Sequence, residues 1–111
     1  MDIDKNVPGV FVTEFKTVTD EMATGSVVML GFGKVQIAIG DCGPLGMLMF
    51  LPVKTPVDPR SPVLSAGTPA YDAARNNIEG GGLGSVLFFK DLDAVDNLRR
   101  SLDSVEKYLT K

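Results

Sequence analysis

Apolar residues follow two periods along this chain, and the change from one to the other marks its elements. Residues 9–18, Gly-Val-Phe-Val-Thr-Glu-Phe-Lys-Thr-Val, are dense in β-branched and aromatic types that suit a pleated, half-buried surface, and they predict a first strand after Pro8. Residues 19–25 carry the polar and glycine residues of a connection.

Two apolar runs between Ser26 and Asp41 flank Gly33-Lys34, and a glycine in the first central position suits a two-residue type II′ turn. That hairpin pairs Phe32 with Val35, Leu30 with Ile37 and Val28 with Ile39 on one core face. The other face carries Val27 and Met29 against Gln36 and Ala38, small and mixed enough to call for partial cover. A turn at 40–44 leads to residues 46–51, apolar on both faces as in a strand buried on two sides, and Pro52 ends it.

Residues 53–84 break the pattern. Prolines crowd the stretch from Pro52 to Pro69, a run of four glycines around Leu83 closes it, and Thr68-Pro69 reads as an N-cap and first helical residue for a short helix over 70–77. Residues 85–90 form another buried-type strand. Val95, Leu98, Leu102, Val105 and Leu109 then recur at helical spacing, with Asp91, Asp93 and Asp96 in the first turns and Lys107 and Lys111 at the end, matching the helix dipole. The expected fold class is α+β: a single domain over 1–111, a small antiparallel sheet of about five strands, a long C-terminal helix whose stripe packs on one face, and a long Pro/Gly-rich insertion over 53–84.

Composition narrows the function. A formal charge of −3 and a pI near 4.8 oppose binding of a nucleic-acid polymer through phosphate neutralisation and oppose docking on an anionic membrane. The longest uninterrupted apolar run, Met47 to Leu51, is far short of the roughly 20 residues of a span. The acidic start Met1-Asp2-Ile3-Asp4 lacks the basic and apolar regions of a signal peptide, and a lone Cys42 allows no intrachain disulfide, so the expected compartment is cytoplasmic.

Each candidate for chemistry has a plainer explanation beside it. Gly31-Phe32-Gly33-Lys34 resembles a phosphate loop only superficially, since a strand and not a helix follows. Gly80-Gly81-Gly82-Leu83-Gly84 could cradle an anion or serve as a hinge for the insertion. Cys42 has no histidine to activate it, because the chain contains none, and the same absence opposes a zinc site. Carboxylates such as Asp58, Asp72 and Glu79 have no spacing that specifies a cation or acid–base role, and Met29 and Met47 suit either core or an adaptable interface. No catalytic residue, metal or cofactor is expected.

The insertion holds Arg60 and Arg75, two of four arginines, with Tyr71, Asn76 and Asn77. Together they supply donors and a stacking ring for a small anionic or nucleotide-like ligand. The plainer explanation is a solvated loop with an Asp72–Arg75 helical ion pair. The resulting expectation is a non-catalytic homo-oligomeric binding protein that sequesters or senses such a ligand through 53–84. The alternative is a protein-interaction module, an inhibitor or assembly factor of phage or bacterial type, using the free sheet face or the proline-rich loop.

Overall fold

The computed structural model describes residues 8–110. The N-terminal segment read against a signal peptide, and Lys111 at the end of the last helix, lie outside them. The fold is α+β, with six strands in two sheets, a short helix and a C-terminal helix of 18 residues.

Strands β1 (Val10–Lys16) and β2 (Met22–Val28) form a two-stranded antiparallel sheet in which Val10 faces Val28 and Lys16 faces Met22. The predicted connection over 19–25 is therefore mostly strand. The turn is tighter and lies earlier: the Thr17 amide donates to the Glu21 carbonyl at 2.8 Å, and Thr17 Oγ1 accepts from the amides of Thr19 and Glu21. Asp20 takes the left-handed conformation, φ 64°, which aspartate tolerates better than most residues.

The four-stranded sheet runs in the order β5-β3-β4-β6, built from β3 (Val35–Cys42), β4 (Leu45–Pro52), β5 (Leu64–Ser65) and β6 (Ser85–Phe89). Its central hairpin turns at Gly43-Pro44. Gly43 has φ 61°, and proline cannot follow it in a second positive φ, which leaves the type II′ geometry. β5 joins β3 in parallel, so the sheet is mixed and not wholly antiparallel.

The expected hairpin over 26–41 is overturned. β2 pairs with β1, and β3 pairs with β4 so that Ile37 faces Phe50 and not Leu30. Gly31 (φ 93°) and Gly33 (φ 76°) bend the chain from one sheet to the other, and the Gly33 carbonyl accepts from the Val57 amide at 2.8 Å. Two ladders, of seven and eight pairs, closed by tight turns at Thr17–Asp20 and Gly43–Pro44, replace the single ladder expected across Gly33-Lys34. Leu30 and Phe32 are consequently about half exposed, at 52% and 49%.

The insertion folds partly onto the sheet. Helix α1 (Pro69–Ala74) starts as the sequence predicts, with Thr68 Oγ1 accepting from the Tyr71 amide and Pro69 in the first turn, and a single 3₁₀ turn (Arg75–Asn77) follows. Asp91 caps α2 (Leu92–Leu109), its carboxylate accepting from the Ala94 amide at 2.9 Å. The helix is where packing departs furthest from expectation. Val95 and Leu98 are half-buried, but Leu102, Val105 and Leu109 are exposed, so only the first turns touch the sheet. The stripe predicted to cover a sheet face mostly faces outward.

The buried core of the described residues is correspondingly small. Val10, Val35 and Ala38 are its buried hydrophobic members, joined by Gln36, and it sits where β1 approaches the start of β3. A Cβ added at Gly9 would meet Val35 and the Lys34 carbonyl, so glycine there lets the two sheets approach.

Candidate functional site

Residues opposite one another in an antiparallel ladder share a face, so the pairing places Gln36, Ala38 and Gly40 with Leu51, Met49 and Met47. Leu64 in β5 lies beside Ala38 on the outer flank of β3. The insertion rises from that flank and encloses an open cleft of about 610 Å³ between β3, β5 and α1.

The cleft is chemically uneven. Pro62, Val63 and Leu64 form one wall and Ala70 and Ala74 of α1 another, while Ser61, Ser65, Thr68 and Gln36 supply polar atoms. Thr68 is already occupied, donating to the Ser65 carbonyl at 2.7 Å as well as capping α1. Gln36 is 8% exposed, and its Nε2 donates to the Ile37 carbonyl at 3.0 Å, which fixes the carboxamide in the sheet surface. A carboxamide presents donor and acceptor together, so it can read the edge of a heteroatom-bearing ring as well as a hydroxyl.

The five residues singled out from the sequence do not converge as one cluster. Asn77 is built into the fold: its side chain brackets the Thr55 peptide, with both hydrogen bonds at 2.9 Å. Arg60 is 90% exposed at its side chain and lies 3.4 Å from Asp58, whose carboxylate also accepts from the Arg60 amide at 2.9 Å. Such an exposed pair holds its partners weakly. Arg75 and Asn76 are exposed and Tyr71 is half-buried. Neither Arg60 nor Arg75 lines the cleft, although each is next in the chain to a residue that does, Ser61 and Ala74.

The sequence does not single out Gln36 or Thr68 as part of a site. The available signal was Gln36 as the one polar side chain in the run Val35-Gln36-Ile37-Ala38-Ile39. Of the other candidates, Cys42 is exposed and unpaired at the end of β3, and Gly82 and Gly84 pack closely on Pro52 and the Phe50 carbonyl. Among the described residues no three Cys, Asp or Glu side chains gather as a metal site, and no helix is long and apolar enough to cross a membrane.

No protein-family model matches this chain, and no curated protein and no solved structure matches it either.

Proposed function

We propose that this chain is a non-catalytic, homo-oligomeric binding protein whose 53–84 insertion receives a small anionic ligand with a planar, nucleotide-like body. The cleft between β5, α1 and Gln36 carries this reading. Its size lies within the usual range for small-molecule sites, roughly 300–1,000 Å³, and such sites combine apolar walls with a few fixed polar groups. A ring lies between the Pro62-Val63-Leu64 wall and α1 with its edge toward Gln36. Its charged group points out to Arg60 and Arg75, whose guanidinium forks suit phosphate or carboxylate.

Thermal unfolding across a panel of nucleotides and phosphorylated metabolites tests this directly. A ligand at 100 times its Kd stabilises the folded state by about 2.7 kcal/mol, a rise on the order of 10 °C for a domain of this size. The rise is expected in full in the wild type and cut to half or less in Arg75→Ala at the same ligand concentration.

A second reading has its own observation. Val63 and Leu83 of the insertion are about half exposed, at 48% and 46%, a surface suited to a protein-interaction module. That module would show no thermal shift with any small molecule in the panel.

A further inference from the structure

The strand β6 lies at the open edge of the larger sheet, bonded to β4 on one side and to no strand of the described residues on the other. Its sequence, Ser-Val-Leu-Phe-Phe, contains no charge and no proline. Edge strands are ordinarily protected from pairing by short length, charge, proline or a bulge, and an apolar edge without them is a template for another strand. Val86, Leu87 and Phe88 are 42%, 39% and 51% exposed.

One surface next to this edge is also apolar and open. On one face Met47, Met49 and Leu51 join Val86 and Phe88 around a groove of about 310 Å³. Following β6 in the chain, α2 leaves Leu102, Val105 and Leu109 exposed after its opening turns. The insertion reaches this groove only through Gly84, and its strand β5 pairs with the opposite edge, on β3.

The exposed area indicates how much is missing. A compact monomer of this mass exposes about 5,900 Å². This chain exposes 8397 Å². The difference is about 2,500 Å². A standard interface covers only about 800 Å² on each partner, so the excess has room for one.

We infer that a second copy of this chain occupies the β6 edge, the two β6 strands pairing antiparallel about a two-fold axis at Leu87. Self-association belongs to the function proposed above, and this inference specifies its interface independently of any ligand. Five residues centred on Leu87 are self-complementary: Leu87 faces Leu87 of the second copy, and Val86 faces its Phe88, a β-branched and aromatic pair of the kind that stabilises ladders. The pairing joins the two apolar grooves into one. It also keeps like charges apart, because Lys90 and Asp91 fall opposite Gly84 and Leu83 of the other copy.

Charge exchange at the axis tests the register. Sedimentation of the full chain is expected to give twice the 11.8 kDa chain mass, while Leu87→Lys and Leu87→Glu each sediment as monomers, because either places like charges face to face. Mixing the two variants is expected to restore the dimer. A wild type that stays monomeric at high micromolar concentration, or variants that remain dimeric alone, overturns the inference. If either charged variant fails to fold, Leu87→Cys in a Cys42→Ser background decides. Directly opposed residues in such a ladder are about 4.5–5.5 Å apart at Cα, within disulfide reach, so mild oxidation should cross-link it in minutes and leave Thr24→Cys in the same background uncross-linked. Equal cross-linking at the two positions, or none at 87, rejects the interface. Measuring ligand-induced thermal shifts on the same variants keeps failure of this interface distinct from failure of the binding site.

Discussion

Asn77 grips the Thr55 peptide from both ends, its Oδ1 accepting from the Thr55 amide and its Nδ2 donating to the Thr55 carbonyl, each at 2.9 Å. Around this clamp the Lys54 amide donates to the Asn77 carbonyl at 2.8 Å, the Glu79 amide donates to the Pro52 carbonyl at 2.9 Å, and Val53 bridges Ile78. The ends of the insertion are thus tied together over 52–55 and 77–79. Much of the closure entropy of a long loop is offset there, and the cleft above it rests on a fixed base.

Asn77→Ala removes both side-chain bonds. At a net of about 0.5–1.5 kcal/mol each, the expected loss is about 1–3 kcal/mol, read as a fall in urea midpoint with unchanged slope. Proteolysis should then cut first within 55–76. An unchanged midpoint would show that the clamp contributes nothing.

Gly33 and Gly31 separate two glycine effects. Both have positive φ, but a Cβ at Gly33 would collide with the Val57 carbonyl whereas one at Gly31 meets open space. Gly33→Ala should therefore cost clearly more than the roughly 1 kcal/mol expected of Gly31→Ala from backbone conformation alone. Equal losses in chemical denaturation would contradict the approach of Val57 to this bend.

Leu30→Ala distinguishes the two ladders. With Leu30 half exposed in the bend, its replacement should cost under about 1 kcal/mol, while Val10→Ala, in a site 4% exposed, should cost about 2 kcal/mol. A loss of about 2–5 kcal/mol at Leu30 would instead support the 26–41 hairpin with Leu30 against Ile37.

Legibility followed the range of the interactions. Thr68-Pro69 and Asp91 announced their helices because capping is settled within a turn, and 85–89 and 46–51 read as strands from composition alone. Partner choice was not local. Gly33-Lys34 had suitable turn chemistry, but β2 and β3 each found another partner on either side of it, β1 and β4, giving two ladders in place of one. The helical stripe of α2 was visible by its spacing, yet spacing does not say whether the surface opposite it belongs to the same chain. In the insertion, donors were countable but their engagements were not: Asn77 is committed to Thr55, while Gln36 entered the cleft through the parallel addition of β5, which no local signal announces.

Arg60→Ala and Arg75→Ala address the proposed anion contacts. Both side chains are exposed, so each change should shift stability by no more than about 0.5 kcal/mol. Loss of a charge-assisted bond to an anionic ligand is worth about 1.5–3 kcal/mol, so affinity should fall roughly 10- to 100-fold by calorimetry. Affinity unchanged in both variants would remove the anion from these arginines.

Native mass spectrometry of the full chain, freshly purified and then titrated with nucleotides and phosphorylated metabolites, tests the central claim most directly. The expected spectrum shows twice the 11.8 kDa chain mass with one bound anionic ligand per chain, and for Arg75→Ala the same dimer taking up ligand only at roughly 10- to 100-fold higher concentration. A bare 11.8 kDa chain across the whole titration would contradict both self-association and ligand binding, and a dimer that never takes up a ligand would contradict the binding site.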